Sequence, residues 1–456
     1  MSGNFLYYLG AFAVALGVLI VVHELGHFFV ARLCGVKVLR FSMGFGRVLL
    51  SKRCGTDNTE WVISAFPLGG YVKMLDEREG AVEPQELHRA FNRQAVWKRI
   101  LIVAAGPTAN LLLAVLLYWL LFMQGVEELR PVLATPPAAS VAASAGIQDG
   151  ETVRSINGKP VATWPELRWE LLQAALDRTP LTLEVINLRQ EISYRYLDTR
   201  DFGSADLEAD LPLKIGLQPF RPQLKPIIGA VAGNSLAEQA GLRAGDVFVN
   251  IDGQPIASWS EVAARIRQAA GVPLQLELQR DGARISLQVT PAEAAEGGRR
   301  IGRIGIMAKD DPDLRAALVV TVQYSAMAAL GKASVQTWDM SVFNLKVIAR
   351  MMIGDVSWRN LSGPVTIADY AGQSARLGWT YYLKFLALIS ISLGVLNLLP
   401  IPILDGGHLL YYIAEIIKGG PLSERVMEIG QKIGLSLLII LMACAFYNDI
   451  NRFVSG

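Results

Sequence analysis

The sequence of 456 residues has few charged side chains and few cysteines. Charged residues make up only 18% and hydrophobic residues 52%, a balance typical of a membrane protein with a sizeable soluble part. The net charge of +2 gives no indication of nucleic-acid binding, which calls for a strongly basic surface. Cys34, Cys54 and Cys444 all lie outside the long middle region, so no disulfide framework is predicted. The N-terminus has no basic segment and the first apolar run carries ionisable residues, so we do not interpret it as a cleaved signal peptide.

Four apolar stretches are long enough to cross a bilayer, which takes about 20 helical residues. They extend over about residues 5–33, 100–123, 381–404 and 433–446. The last is short unless its helix extends towards residues 429 and 450. A fifth apolar stretch, Ala316 to Leu330, is interrupted by polar residues at 323–325, and we expect an amphipathic helix at the membrane surface there. The sequence therefore predicts four transmembrane helices.

The loop between the first two spans determines the predicted orientation. From Arg32 to Arg99 it holds twelve basic and seven acidic residues. An excess of Lys and Arg in a loop of this size favours the cytoplasmic side. We therefore expect both termini and the long middle region to lie on the outer, periplasmic side.

The same loop has two segments rich in β-branched and aromatic residues, Val38–Leu50 and Glu60–Met74, with glycines between them. This composition predicts β-strands or hairpins. An ordinary soluble sheet is one interpretation. The segments are apolar for a cytoplasmic loop, which favours a membrane-associated β-hairpin element, allowed where protein or water satisfies its backbone.

The middle region contains an internal repeat. Residues Ala145 to Glu166 align with Ala240 to Glu261 at a constant offset of 95 residues. Each copy predicts short strands, glycine turns and one helix after a tryptophan. Both copies resemble PDZ domains of the bacterial protease type, and the second copy matches closely. The first copy has Glu151 where Asp is usual, which weakens the expectation that it binds a ligand.

The first apolar run contains His23-Glu24-Leu25-Gly26-His27. Positions i and i+4 share one helix face, so His23 and His27 can bind one metal ion with Glu24 beside it as general base. Ionisable residues inside a span are rare and usually functional, so we prefer this interpretation to two buried structural histidines. A catalytic zinc site usually has three protein ligands, and the third must come from elsewhere.

Asp405 is the predicted third ligand. It follows Pro400 and Pro402, which break the third apolar stretch, and a broken helix at a polar site commonly lines a cavity. His408 is the alternative, with an interfacial side chain as its ordinary interpretation. The histidines and Asp405 lie at a similar depth in the membrane only if the first and third spans run in the same direction. This requires a single crossing between them, the second span, and therefore agrees with four spans in total.

Several motifs together resemble the site-2 protease family of intramembrane metalloproteases, of the bacterial type that regulates sigma-E. The matching motifs are H-E-L-G-H at 23–27, G-F-G at 44–46, P-L-G-G-Y-V-K-M-L at 67–75, A-G-P-x-A-N at 105–110 and N-L-L-P-I-P-x-L-D-G-G-H at 397–408. The tandem repeat also matches. The resemblance covers essentially the full chain.

This resemblance implies Zn²⁺ held by His23, His27 and Asp405, with Glu24 as the base. It implies that Asn397 contacts the substrate backbone near the scissile bond, and Tyr71 is the second predicted substrate-binding residue. The implied substrates are single-span membrane proteins, such as an anti-sigma factor or signal-peptide remnants, cut a second time after an outer cleavage. The implied location is the bacterial inner membrane, with the active site towards the cytoplasmic side of the lipid bilayer.

The predicted fold is thus an α-helical membrane protein with four transmembrane helices, a membrane-associated β-hairpin element and two tandem PDZ domains. The predicted segments are the first two spans with the β-element (1–125), the PDZ domains (126–222 and 223–309), an amphipathic connection (310–378) with a turn-rich break at Asn360–Pro364, and the last two spans (379–456).

Alternatives stay open at this point. The PDZ pair could exclude substrates with bulky outer domains or bind an exposed C-terminal carboxylate, and the resemblance favours exclusion. The alternative to a protease is a non-enzymatic PDZ scaffold with a relict metal site. A metal transporter is disfavoured because the sequence offers one ligand set and no second acidic relay in the spans.

Overall fold

The computed structural model describes residues 2–200, 202, 211–220, 222–296, 299–358 and 362–455. Its first part consists of helix α1 (Ser2–Leu33), strands β1 (Val38–Cys54) and β2 (Thr59–Met74), two short 3₁₀ turns (Leu87–Arg89 and Phe91–Arg93) and helix α2 (Val96–Gln124). A buried cluster that includes Phe28, Phe41 and Ile102 joins α1, β1 and α2. The sequence predicts that the second span starts at about residue 100, and α2 starts slightly earlier, at Val96.

Strands β1 and β2 confirm the two predicted β-segments, but they pair in a more folded way than a simple hairpin. Residues 40–43 of β1 pair with residues 70–73 and also with residues 60–63 of β2, while residues 50–54 pair with residues 59–63. The two long strands therefore bend into a sheet of four segments. Side chains at its far end are exposed, including Leu49 and Leu50 at 61% and 66%.

The middle region holds β3 (Val126–Leu129) and two similar units. The first unit contains α3 (Val141–Ser144), β4 (Thr152–Ile156), β5 (Lys159–Pro160), α4 (Trp164–Asp177), β6 (Leu181–Ile186), β7 (Ile192–Leu197) and α5 (Leu211–Ile215). The second unit contains β8 (Ile228–Val231), α6 (Leu236–Gln239), β9 (Val247–Ile251), β10 (Gln254–Pro255), α7 (Trp259–Gln268), β11 (Leu274–Arg280), β12 (Ala283–Val289), β13 (Ala292–Glu296), β14 (Arg299–Arg303) and β15 (Ile306–Ala308).

The two units repeat one topology. Their four-stranded sheets have the orders β5-β4-β6-β7 and β10-β9-β11-β12, and each unit has its own buried core. Thr163 and Ser258 cap the helices that begin at the two repeat tryptophans, because an Ncap oxygen accepts from an otherwise unpaired amide. The predicted internal repeat, with one helix after each tryptophan, is confirmed.

The acid that differs between the copies has a structural role in both units. Glu151 accepts from the Gln148 amide and pairs with Arg195, while Asp246 accepts from the Arg243 amide and pairs with Arg280. Burial raises the pKa of Asp246, but its hydrogen bonds from Arg280 and the Arg243 amide hold that pKa below its ordinary value. The longer Glu151 therefore closes the same turn in the first unit as Asp246 does in the second.

The connecting region consists of α8 (Pro312–Leu318), β16 (Val319–Val322), α9 (Ala326–Met352) and α10 (Pro364–Leu377). The expectation of one amphipathic helix over Ala316–Leu330 is wrong. This stretch contains the end of α8, a strand that pairs with β3 and the start of α9. The valines at 319, 320 and 322 favour a strand, and the partner strand is distant in sequence. In the expected break at 360–364, Asn360 and Leu361 lie outside the described residues.

The last part consists of α11 (Trp379–Asn397), α12 (Asp405–Lys418) and α13 (Glu424–Ser455). The third predicted span is wrong at its end, because α11 stops at Asn397 and Asp405 starts the next helix. Proline removes a backbone donor and disfavours helix in the residue before it, so Pro400 and Pro402 keep residues 398–404 out of helical structure. The last helix extends well beyond its apolar centre, as a full span requires.

In the described part of the chain, four helices are long and apolar enough to cross a membrane. They are Leu6–Leu33, Val96–Gln124, Trp379–Asn397 and Arg425–Asn451. A buried cluster joins α1, α2 and α11 with residues of α9 and α10. The predicted number of four spans is confirmed by length and composition, and α9 is an additional long helix that packs against α2.

Candidate metal centre

His23, His27 and Asp405 meet at one point in the structure. The His23 and His27 Nε2 atoms are 3.2 Å apart, because a separation of four residues places both rings on one face of α1. Asp405 Oδ2 lies 3.1 Å from His23 Nε2 and 3.6 Å from His27 Nε2. Of the His, Cys, Asp and Glu residues in the described ranges, these three form a group able to hold a metal ion.

The three ligand atoms fit a zinc ion. Tetrahedral zinc with bonds of about 2.0–2.2 Å separates its ligand atoms by roughly 3.3–3.6 Å, close to the three observed distances. Asp405 Oδ2 is buried and has no hydrogen-bond partner. Two imidazole nitrogens and one carboxylate oxygen are a ligand set known for catalytic zinc sites. An unpartnered buried oxygen aimed at two imidazoles is the arrangement that a cation stabilises.

Helix α2 shapes the space around the imidazoles. The carbonyl of Ile102 accepts a hydrogen bond from His27 Nδ1 at 2.8 Å, so Nδ1 carries the proton and Nε2 is free to bind a metal. Gly106 lies against both rings, and a Cβ built there would come 2.7 Å from His23 Nε2 and overlap His27 Nε2. A Cβ at Gly26 would likewise overlap the Ala105 carbonyl. The metal centre therefore requires the close crossing of α1 and α2.

Asp405 reaches the histidines because α12 begins beside them. Gly406 and Gly407 pack against the backbone of residues 398–402, where side chains would overlap carbonyl groups. Further along α12, Glu415 forms a two-pronged ion pair with Arg99 of α2, with distances of 2.7 and 3.1 Å. Both side chains are largely buried, and the guanidinium also stacks on Tyr412 at 4.9 Å. These contacts fix the orientation of α12 and thus of Asp405.

Glu24 is half-buried and follows His23 on α1. Strand β2 passes directly over it, because a Cβ built on Gly70 would lie 2.9 Å from Glu24 Cγ. The Glu24 side chain thus lies against β2, one residue along α1 from His23. A carboxylate next to a metal centre is suited to accept and return a proton.

The other predicted site residues lie outside the three-residue group. His408 is one turn along α12 from Asp405, and its ring lies 6.1 Å from that of Tyr411. Tyr71 follows Gly70 on β2, and its hydroxyl accepts from Arg40 at 3.2 Å. Asn397 is the last residue of α11. Their roles stay predictions.

Sequence reasoning missed Gly106, the Arg99–Glu415 pair and Asn110, whose Nδ2 lies 3.4 Å from His23 Nδ1. The motif at 105–110 contains both Gly106 and Asn110, so it was the available signal, but a motif alone does not say which side chains face the histidines. The ion pair joins residues far apart in the chain, and only the folded structure brings them together.

The fold and the site define a membrane-type protein with a candidate metal centre, whose three possible ligands come from α1 and from the helix after the third span. A protein-family model, Peptidase family M50, matches residues 11–441. The chain therefore belongs to peptidase family M50, the site-2 proteases.

Named relatives cover nearly the whole chain. It is 43% identical over 450 residues to the regulator of sigma-E protease RseP of Escherichia coli, which covers 98% of this chain and 99% of the relative. It is 44% identical over 443 residues to a protein of Neisseria meningitidis whose name includes the words zinc metalloprotease, covering 97% and 98%. A solved PDZ domain of an SdrC-like protein from Listeria monocytogenes is 20% identical, with 21% of this chain and 95% of that chain covered and a TM-score of 0.17.

Proposed function

We propose that this protein is a zinc-dependent endopeptidase that cuts single-span membrane proteins within the bilayer. The observation that carries the proposal is the meeting of His23, His27 and Asp405 at ligand distances on helices among apolar spans. Such a metal centre would lie within the bilayer. Its natural substrate is a peptide bond inside a membrane helix.

The proposed chemistry assigns one role to each residue. His23 Nε2, His27 Nε2 and Asp405 Oδ2 would hold zinc, which when bound polarises the peptide carbonyl and lowers the pKa of water. Glu24 accepts the proton of the attacking water on its carboxylate. It then delivers this proton to the leaving amide nitrogen, so that the carboxylate is regenerated.

The bent sheet of β1 and β2 is proposed to present the substrate. A transmembrane helix hides its peptide bonds in internal hydrogen bonds, so it must unwind before it is cut, and its freed backbone groups need partners. An exposed strand edge supplies them by strand addition. Support comes from Gly70, whose Cα lies beside Glu24, and from the exposed apolar Phe45 and Phe66, which suit a lipid environment.

Asn397 and Tyr71 are proposed to bind the substrate backbone. Asn397 ends α11, where the following residues are not helical, so its amide lies at a break in the third span. Tyr71 directly follows Gly70 on β2, close to Glu24. Tyr71 is thus next to a strand position that contacts Glu24, and Asn397 precedes the non-helical segment that leads to Asp405.

The two repeat units are proposed to be PDZ domains that exclude substrates with bulky outer domains. The first unit is tied to α9 by Lys332–Glu166 and Lys346–Asp177, both at 2.9 Å. Trp169 and Phe343 add a ring contact at 4.9 Å. A unit held against the helices in this way limits what can approach them.

The proposed location rests on the excess of basic residues in the loop between the first two spans and on membership of the family. We place the protein in a bacterial inner membrane, with both termini and the repeat units in the periplasm and the metal centre towards the cytoplasm. We propose a second cut of an anti-sigma factor after an outer cleavage, and clearance of signal-peptide remnants. The name of the Escherichia coli relative, regulator of sigma-E protease, supports the link to sigma-E.

The test uses the full chain, purified in detergent, and a single-span test substrate with a short outer segment. We expect cleavage within the span, identified by mass spectrometry of both fragments. Glu24→Gln should keep zinc and lower the cleavage rate by about 10²–10⁴-fold, the usual contribution of a general base. Unchanged cleavage by this variant ends the proposal, and a chain that neither holds zinc nor cleaves supports the scaffold alternative.

Gly70→Ala tests the position of β2 over Glu24. The new methyl group would collide with Glu24 and with the Ser42 carbonyl, so the carboxylate must move. We expect cleavage to fall by about 10²-fold, as for a displacement of about 1 Å in a catalytic group, with zinc binding preserved. Gly80→Ala is the control, because nothing lies within 4 Å of a Cβ there. Equal activity of both variants would contradict the proposal that β2 positions the Glu24 carboxylate.

A further inference from the structure

We propose that Asn110 is a positioning residue for His23, accepting a hydrogen bond from the Nδ1–H of its imidazole. Asn110 lies on α2 and its side chain is completely buried. It lies four residues after Gly106, on the same face of the helix. A buried amide among apolar helices is unfavourable unless its polar atoms are paired. The inference rests on the proposed zinc site.

The contacts of Asn110 are incomplete. Its Nδ2 lies 3.4 Å from His23 Nδ1, while its Oδ1 is buried and has no hydrogen-bond partner. When His23 Nε2 binds a metal, His23 Nδ1 carries the proton and needs an acceptor. An amide NH₂ group has no acceptor to offer.

A half-turn of the amide about the Cβ–Cγ bond gives Asn110 Oδ1 a donor and His23 Nδ1–H an acceptor. The two ends of an asparagine amide have nearly the same shape, so this rotation exchanges Oδ1 and Nδ2 and leaves the neighbours in place. Oδ1 then accepts from His23 Nδ1–H. This bond holds the His23 ring with Nε2 directed at His27 and Asp405 and makes that nitrogen a better ligand.

The second imidazole supports this assignment. His27 Nδ1 donates to the carbonyl of Ile102, also on α2. Helix α2 therefore supplies an acceptor to each zinc-binding histidine. The position of Asn110 is itself fixed, because its backbone carbonyl accepts from Ser390 of α11 at 2.7 Å.

The experiment measures the zinc affinity of the purified full chain by competition with a chelator. Asn110→Leu keeps the volume and removes the acceptor, and we expect its zinc affinity to fall by about 10–100-fold, as for other outer-shell partners. Asn110→Asp keeps an acceptor and should bind zinc at least as tightly as the native chain. Thr108→Val is the control, since the Thr108 hydroxyl is exposed and donates to its own helix at Ala104.

Two further arms make the outcome decisive. In a His23→Ala background, Asn110→Leu should cause no additional loss of zinc affinity, because its effect passes through His23. If Asn110→Leu does not fold, Asn110→Ala removes the acceptor without a branched side chain. Native zinc affinity in the folded Leu or Ala variant overturns the inference, as does an equal loss in Asn110→Asp. The zinc readout is independent of cleavage, so this inference and the proposed protease activity fail by different results.

Discussion

Replacing Gly106 with alanine should eliminate zinc binding and, with it, cleavage. A Cβ at this position overlaps His27 Nε2 and lies 2.7 Å from His23 Nε2. Both atoms are proposed zinc ligands, so the methyl group occupies the space that their coordination needs. Glycine to alanine in a helix interior otherwise favours the helix by about 1 kcal/mol, so loss of zinc cannot be ascribed to helix propensity.

The matched control is Gly17→Ala. Gly17 also lies within a membrane-type helix, and nothing is within 4 Å of a Cβ built there. We expect this variant to retain native zinc content and cleavage. Zinc content would be measured by elemental analysis of the purified chains. A Gly106→Ala protein that is folded and holds zinc in native amount would contradict the described geometry of the centre.

Replacing Asp405 with asparagine should lower zinc affinity by more than the roughly 10–100-fold that loss of an outer-shell partner causes. The substitution keeps the shape of the side chain and removes the negative charge next to two imidazoles. Chelator competition would measure the affinity, and cleavage of the test substrate should be lost in parallel.

His408→Gln decides between the two candidates for the third ligand. His408 lies one turn further along α12 and outside the three-residue group, so we expect its variant to bind zinc as the native chain does. Native affinity in Asp405→Asn together with a large loss in His408→Gln would reverse the assignment.

The sequence predicted the parts of the site that depend on local spacing. His23 and His27 share one face at four-residue spacing, and their place in an apolar run made a structural role improbable. Asp405 could be singled out because two prolines precede it. These features depend on residues that are close in sequence, so they can be identified without knowledge of the fold.

Other features depend on contacts between distant segments. The prolines predicted a break, but not that Asp405 starts a new amphipathic helix held by the Arg99–Glu415 pair. The valines at 319, 320 and 322 favour a strand locally, but the partner strand β3 is distant in sequence, so the pairing itself could not be predicted. Gly106 matters because it has no side chain where α2 meets the His23 and His27 rings of α1, and this contact between helices cannot be predicted from the local sequence.

X-ray absorption at the zinc edge, recorded on the purified full chain, tests the central claim most directly. We predict one zinc per chain with two imidazole nitrogens and carboxylate or water oxygen at about 2.0–2.2 Å, and loss of the imidazole signal when His23 and His27 are both replaced by alanine. Sulfur at about 2.3 Å, which would indicate cysteine ligands, or a spectrum unchanged by the double substitution, would contradict the account.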